Sequence, residues 1–385
     1  MTDGILVLDA GSSSLKAAVF RAEIDAAALL KFKIGKIGAD SFVKLPDGRT
    51  EPVDAPDHIS AIHWLLERIR DTKFNIVAAG HRVVHGGQRF TEAVRVTTDV
   101  EAEIERLYPL ARTHNPNNLA GIRACAHAYS DLPQVACFDT AFHRTIPEIA
   151  RTFALPRSIR DQGVERYGFH GLSYAWIASR LPVVDQMAAQ GKTIIAHLGN
   201  GSSMCALKAC RCVATTMGFT TLDGLMMGRR PGLLDPGIVL YMQSELGMSL
   251  SDVERLLFKE SGLLGVSGVS NDVRTLSESE EPEAKKAIIL FQYNAIRMIG
   301  SLAASLGGLD AIVFTGGIGE NAADIREGIM NGCRWLGVVP DEEANAKRTP
   351  GHSTVTTPES VVKVHVIPTN EEAVIARDTR AVLGL

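Results

Sequence analysis

Two arginines, two histidines and one aspartate stand in settings that would leave them open to a ligand. Arg82 sits in Gly80-His81-Arg82-Val83-Val84-His85-Gly86-Gly87, directly after a buried apolar strand. Arg230 belongs to Arg229-Arg230-Pro231-Gly232, the start of an ordered loop that runs to Asp235-Pro236-Gly237. His170 lies in Tyr167-Gly168-Phe169-His170-Gly171, His197 precedes Leu198-Gly199-Asn200-Gly201, and Asp139 closes the apolar run that ends at Phe138. Guanidinium forks bind carboxylate and phosphate bidentately, so the chemistry open to this set is anion recognition. An isolated arginine is ordinarily a solvated surface residue, and His170 reads equally well as a packed histidine. The strand and glycines flanking Arg82 favour an anion ligand, and the place of His197 beside a glycine turn favours a functional role.

That turn occurs twice. Ile5-Leu6-Val7-Leu8-Asp9-Ala10-Gly11-Ser12-Ser13-Ser14-Leu15-Lys16 reappears about half the chain later as Ile195-Ala196-His197-Leu198-Gly199-Asn200-Gly201-Ser202-Ser203. Each copy reads as an apolar strand, a polar residue, Gly-Ser-Ser and a second apolar stretch. The expectation is a hairpin whose tight turn exposes backbone N–H groups and hydroxyls. Successive N–H groups pointing one way cradle an anion, and glycine lets it come close. A third glycine-rich turn, Thr315-Gly316-Gly317-Ile318-Gly319-Glu320-Asn321, would let a flat ring or a phosphate lie against backbone. Two cradles half a chain apart predict two similar domains gripping one phosphorylated ligand.

Other signatures are missing. Gly191-Lys192-Thr193 looks like the end of a phosphate loop, but the required first glycine falls on Gln186. No G-x-G-x-x-G occurs, and no His-Glu-x-x-His, cysteine cluster or EF-hand loop offers a metal cage. The 385 residues, 45% hydrophobic and 22% charged, suffice for two cores of ordinary soluble composition. A net charge of −4 gives no basic footprint for nucleic acid and no polybasic membrane patch. No apolar run nears the roughly eighteen residues of a membrane span, and no signal-like start is present. Cys125, Cys137, Cys205, Cys210, Cys212 and Cys333 lack zinc spacing, which predicts reduced thiols in a cytoplasmic enzyme.

The elements that must position these residues alternate. A hairpin over 5–9 and 15–20 precedes a helix over 60–71, with Ile62, Leu65, Leu66 and Ile69 on one face. Strand 75–79 delivers Arg82, a helix covers 117–128, and strand 134–138 delivers Asp139. This pattern predicts an α/β fold with a largely parallel or mixed sheet and ligands beyond the strand ends. The second half repeats it, with strand 193–197, helices 237–245, 251–260 and 283–306, and strands 311–314 and 361–367. Thr369-Asn370-Glu371-Glu372 reads as a capping box opening a final helix that crosses back to the first domain.

In these phrases the chain resembles the acetate kinase family, within the acetate and propionate kinase group of the sugar kinase, heat-shock chaperone and actin superfamily. Besides the stretches already quoted, His114-Asn115-Pro116, Phe138-Asp139-Thr140-Ala141-Phe142-His143, Met217-Gly218-Phe219-Thr220 and Ser270-Asn271-Asp272-Val273-Arg274 carry it. The phrases follow in order along essentially the whole chain. The resemblance implies duplicated actin-like (ribonuclease H-like) domains around a central cleft. These would be 1–150, completed by a helix over 371–385, and 151–370 with the adenosine site. It also implies ATP or ADP with magnesium, manganese being the substitute, and acetate as acceptor. A cytoplasmic homodimer with no nucleic-acid or membrane partner is expected. Asp9 stands where the family usually has Asn, Thr221 where it has a pocket Pro, and Thr113 where Leu precedes His114. Arg229 replaces a usual Thr, whereas Arg230 matches.

The implied reaction is reversible, in-line transfer of the ATP γ-phosphoryl group to acetate. Acetate is ionised at neutral pH, since carboxyl pKa values lie near ~4, so no general base is needed. The difficulty is that two unit charges about 4 Å apart repel by roughly 4 kcal/mol at an effective dielectric of about 20. Arg82 would take the acetate carboxylate and Arg230 the phosphoryl group, with His170 and His197 donating to its equatorial oxygens. Asp139, catalytic by resemblance, would orient Arg82 or magnesium, and Asp9 with Glu371 would anchor the metal. Ser12, Ser14, Lys16, His197, Gly199, Asn200 and Gly201 would position phosphates. Asp272, Val273, Arg274, Gly316, Gly317, Ile318, Gly319 and Asn321 would hold the rest of the nucleotide, while Val84, Phe169 and Thr221 line the acyl pocket. A propionate kinase would differ only in pocket volume; Val84 favours the smaller acid, and Thr113 and Thr221 pull the other way. An actin-like ATP switch is opposed by Arg82 and Arg230 aimed at the cleft and by the lack of a peptide-binding domain.

Overall fold

The computed structural model describes residues 2–11, 14–22, 27–347 and 351–385. They divide into two compact units, Met1–Arg144 with Asn370–Leu385, and Thr145–Thr369. The first is built on strands β1 (Thr2–Ala10), β2 (Ser14–Arg21), β3 (Leu30–Gly35), β4 (Phe42–Lys44), β5 (Thr50–Pro52), β6 (Phe74–Val83), β7 (Val94–Arg95) and β8 (Gln134–Phe138). Their order is β5-β4-β3-β2-β1-β6-β8-β7. The ladders from β1 out to β5 are antiparallel, whereas β1, β6 and β8 run parallel.

The second unit carries β9 (Lys192–His197), β10 (Ser203–Lys208), β11 (Arg211–Thr215), β12 (Ala311–Thr315), β13 (Ser353–Thr354) and β14 (Lys363–Val366), ordered β11-β10-β9-β12-β14-β13. Here too the first three strands are antiparallel and β9, β12 and β14 parallel. The runs β3-β2-β1-β6-β8 and β11-β10-β9-β12-β14 therefore share one plan. The second Gly-Ser-Ser phrase is the corner between β9 and β10, and in the first unit Gly11 and Ser14 stand where β1 ends and β2 begins. All residues of β8 and β12 are buried, which is why Val135–Phe138 and Ala311–Phe314 are continuously apolar and do not alternate.

Helices close the faces. In the first unit, Glu371–Leu383 packs on β1, β6 and β8. Gly80 of β6 makes room for it: a Cβ there would lie 2.3 Å from Thr379 Oγ1 and 2.6 Å from Ile375 Cγ2. In the second unit, Pro282–Leu306 is long and apolar enough to cross a membrane by length and composition. Its Ala287, Phe291, Ala295, Ile299 and Leu302 instead join the core of that unit.

Four local expectations are corrected. β6 continues through Val83, so Arg82 is on the strand and not beyond it. The third glycine turn is a short helix, Gly316–Asn321. The helix expected over 251–260 is α-helical over Leu250–Arg255 and then widens to a π-helix over Leu256–Glu260. The final helix is capped by Asn370, whose side chain accepts the Ala373 N–H (3.2 Å), while Thr369 turns its hydroxyl to Ser173.

Candidate active site

In the first unit, strand register builds a charge cluster. The β1–β2 ladder sets Asp9 opposite Lys16, and Lys16 Nζ donates to Asp9 Oδ2 at 3.1 Å. Arg82 Nη1 donates to Asp9 Oδ1 at 3.0 Å. Its Nε and Nη2 grip Asp139, the shortest contact being Nη2 to Oδ2 at 2.7 Å. Asp139 follows β8 and is itself fixed by donating its N–H to the Val83 carbonyl (3.0 Å). A guanidinium has five N–H groups; Arg82 commits three nitrogens here, which leaves one N–H on each terminal nitrogen. Its side chain is 16% exposed.

Electrostatics follow from that geometry. Burial pushes the Asp9 carboxyl up, but Arg82 and Lys16 outweigh it and hold Asp9 well below the usual carboxylate range. Asp9 in turn raises Lys16 above the ordinary lysine range, against the effect of burial. Burial also lifts the Asp139 carboxyl, with Arg82 pulling against it. The carboxylate of Glu371, first residue of the C-terminal helix, is buried and makes no hydrogen bond or ion pair among the described residues, while its charge helps to raise the pKa values of Lys16 and Arg82. Glu372 lies 3.9 Å from Lys16.

The chain beyond β6 is held by two buried asparagines and a threonine. Asn118 accepts the Val84 N–H (3.0 Å) and donates to the Ala10 carbonyl (2.8 Å). Asn115 exchanges two hydrogen bonds with the His85 backbone, and Thr140 Oγ1 accepts the Gly86 N–H. Val84 is buried. Sequence reasoning missed Asn118; its one signal is its place three residues after Asn115, on the same helix face. At the β1–β2 corner, Gly11 donates its N–H to the Ser14 carbonyl (2.8 Å), and Ser12 lies outside the described residues.

In the second unit, His170 and His197 stack, with ring centroids 4.4 Å apart and planes 20° from parallel. His170 adopts φ 57°, in the left-handed region, at the start of helix Gly171–Val184. Its Nδ1 lies 2.8 Å from Ser203 Oγ, and His197 Nδ1 lies 2.8 Å from Ser173 Oγ. A Cβ on Gly201 would sit 2.8 Å from Arg230 Nη2 and 3.2 Å from His170 Nε2. These two groups therefore converge over the glycine. Arg230 donates through Nη1 to the Thr221 carbonyl (2.6 Å) and has no acidic partner among the described residues. Burial alone lowers its pKa to about 10.

The second Gly-Ser-Ser corner departs from expectation. Ser202 and Ser203 are fully buried; Ser202 Oγ donates to the Gly199 carbonyl and accepts the Gly199 N–H, so the hydroxyls brace the corner from inside. Asn200 remains exposed, its Oδ1 accepting from Asn271 Nδ2 (3.1 Å).

The helix Gly316–Asn321 has most of its leading amides occupied. Gly316 donates to Glu320 Oε1 (3.0 Å), and Ile318 and Gly319 donate to the Leu198 carbonyl. Gly316 (φ 78°) is required, because a Cβ would meet Leu198 O at 2.8 Å, whereas a Cβ on Gly317 would meet nothing within 4 Å. Gly317 thus offers an open backbone face. Asn321 Nδ2 donates to the Gly317 carbonyl (2.8 Å). Asp272 caps a short helix by accepting the Thr275 N–H (3.0 Å), Val273 is buried beneath it, and exposed Arg274 pairs with Glu278. Phe169 is buried in the same unit.

The structure therefore brings together Asp9, Lys16, Arg82, Asp139 and Glu371 in one unit, and His170, His197, Gly201 and Arg230 in the other. Comparison with known proteins agrees with the motifs. The Acetokinase family profile matches residues 4–377. The chain is similar to an acetate kinase of Rhodopseudomonas palustris, with 49% identity over 389 residues and 98% of each chain covered. Among solved structures, it is similar to the acetate kinase of Porphyromonas gingivalis, with TM-score 0.89, 36% identity, and 99% of this chain and 100% of that one covered. A propionate kinase from Francisella tularensis superposes with TM-score 0.92 and 35% identity, covering 98% of this chain and 99% of that one.

Proposed function

The chain belongs to the acetokinase family, and from that premise we propose that it transfers the γ-phosphoryl group of ATP reversibly to acetate. The products are acetyl phosphate and ADP, formed by direct in-line displacement. The observation that carries this reading is Arg230, a half-buried guanidinium with no acidic partner among the described residues, converging with His170 Nε2 over Gly201. A half-buried cation without a counter-ion is left incompletely satisfied until an anion arrives, and the phosphoryl group in flight is that anion. Arg82 offers its remaining two N–H groups to the acetate carboxylate. Asp139 keeps the Arg82 fork oriented and abstracts nothing, since acetate arrives ionised. We assign acyl recognition to Val84 in the first unit and to Phe169 and Thr221 in the second. Ser12, Ser14, Lys16, Gly199 and Asn200 serve the phosphates, and Gly317, with Asn321, Asp272, Val273 and Arg274, receives the adenosine.

Magnesium suits the first-unit cluster. Asp9, Asp139, Glu371 and Glu372 set four formal negative charges against the two positive charges of Lys16 and Arg82. Glu371, whose carboxylate is hydrogen-bonded to no side chain among the described residues, would hold the ion together with Asp9, which already serves two cations. When bound, the ion would supply charge neutralisation to the transferring phosphoryl group. We place the enzyme in the cytoplasm, acting as a homodimer with no nucleic-acid or membrane partner. In support, no disulfide joins its six cysteines. Helix Pro236–Ser244 buries none of its residues and exposes Leu240 and Tyr241, a face that a second copy can cover.

The test is trapping with hydroxylamine. With ATP, magnesium and acetate, the chain is expected to yield acetohydroxamate, and Arg230→Ala to lower kcat by roughly 10²–10³-fold. ATP hydrolysis without hydroxamate would sink the kinase reading in favour of an ATP switch. The similarity to a solved propionate kinase keeps propionate as the second acid. A methylene changes discrimination by only about 1–3 kcal/mol, so kcat/KM for acetate, propionate and butyrate, measured side by side, assigns the acid. Inversion at a chirally labelled γ-phosphate is expected; retention would require a covalent intermediate.

A further inference from the structure

We propose that two hydroxyl pairs, Thr369 with Ser173 and Tyr174 with Ser203, fix the tautomer of both site histidines, making Nδ1 the acceptor and placing the donor proton on Nε2. The inference rests on the phosphoryl-transfer reading and names the residues that prepare its histidines.

The first relay follows from counting hydrogens. Thr369 Oγ1 donates to Ser173 Oγ at 2.9 Å, and Ser173 Oγ lies 2.8 Å from His197 Nδ1. A hydroxyl carries one hydrogen. That of Thr369 points at Ser173, so the Ser173 hydrogen goes to its other neighbour, His197 Nδ1. An imidazole nitrogen that accepts has no proton, and the opposite nitrogen then carries it. Thr369 is itself fixed, because its backbone N–H donates to Glu320 Oε1 (3.0 Å), the same oxygen that accepts the Gly316 N–H.

The second relay is built from different residues. The Tyr174 hydroxyl hydrogen-bonds Ser203 Oγ, which lies 2.8 Å from His170 Nδ1. The phenol is the stronger acid of the two hydroxyls and donates, leaving the Ser203 hydrogen for His170 Nδ1. Ser173, Tyr174 and Ser203 are all fully buried, so bulk water does not rearrange these bonds. Ser173 and Tyr174 are neighbours in helix Gly171–Val184, which His170 opens.

Both relays reach the same tautomer on two stacked rings, and the consequence is chemical. His170 Nε2 faces the Gly201 corner beside Arg230 Nη2. A proton there donates to a phosphoryl oxygen; the other tautomer would turn a lone pair toward an anion. Ser173, Tyr174, Ser203 and Thr369 are thus positioning residues that act through the histidines.

The experiment reads ring protons directly. In the full chain labelled with ¹⁵N-histidine, without nucleotide at neutral pH, long-range ¹H–¹⁵N spectra should show His170 and His197 protonated at Nε2. Thr369→Val and Tyr174→Phe keep the side-chain shape and remove the donor. Each should mix the tautomers of its own histidine and lower kcat by roughly tenfold, below the ~10²-fold loss of a whole donor, with KM for ATP and acetate unchanged. Thr369→Ser should restore both readouts. A proton on Nδ1 in the unaltered chain overturns the proposal, as do both variants if they keep Nε2 protonation and full kcat. The spectra need no turnover, so a chain that formed no acetyl phosphate would defeat the kinase reading and leave this test standing.

Discussion

Gly201 lies where a single added carbon would separate two functional groups. Its Cβ would stand 2.8 Å from Arg230 Nη2 and 3.2 Å from His170 Nε2. Gly201→Ala is therefore expected to lower kcat by about 10²-fold, the scale of losing one oriented donor, while circular dichroism and urea melts stay close to the parent. Unchanged turnover would show that Arg230 and His170 do not act there. The two arginines illustrate what could be read from residue types. The strand and glycines around Arg82 pointed to an anion ligand, whereas Arg230 was singled out by the family resemblance. That Arg82 is held by three contacts to Asp139 and one to Asp9, while Arg230 meets only a carbonyl, was not legible. Those partners come from distant strands and loops, and a linear sequence does not show which carboxylate a folded chain brings to which guanidinium. The inward turn of Ser202 and Ser203 was hidden for the same reason.

Elements defined by apolar runs were the most legible. β8 and β12 were visible because buried parallel strands are continuously apolar. The helix Gly316–Asn321 was not, since glycine is a poor helix former and this helix begins on the Leu198 carbonyl and the Glu320 carboxylate. The pairing of β6 with β8 has a testable acid sensitivity. His81 of β6 is buried, its Nε2 bonded to Gln134 Oε1 of β8 at 2.6 Å. Burial lowers its pKa from 6.5 to about 4, with only the Gln134 bond opposing. Between those values the unfolded chain binds a proton that the folded chain refuses. Stability present above pH 6.5 is thus lost as pH falls toward 4, by about 1.4 kcal/mol per pH unit. Urea melts at pH 7 and pH 5 should show this loss, and His81→Asn should flatten it. Equal slopes in both proteins would place the acid sensitivity elsewhere.

Across the whole molecule, duplication was the feature most plainly written in the sequence, and each sheet repeats the five-strand plan. Less visible was how the first unit is finished, because the apposition of Gly80 with Thr379 and Ile375 joins residues almost three hundred positions apart. Gly80→Ala should force that helix off β6, at the roughly 1–3 kcal/mol typical of overpacking. Urea unfolding of the full chain, followed by hydrogen exchange along β1 and β6, would check it; unaltered protection there would mean that the helix absorbs the extra carbon.

That closing helix also sets an order of events during synthesis. The second unit, Thr145–Thr369, is one uninterrupted stretch and can fold as it leaves the ribosome, whereas the first unit lacks the helix that covers β1, β6 and β8 until Glu371–Leu383 has been made. Domains generally fold as units during translation, yet here the half begun first is completed last. Its central strands wait with an apolar face uncovered while some 225 residues are added between its two segments. Truncation before Asn370 should therefore leave the second unit soluble and the first exposed to chaperones and aggregation.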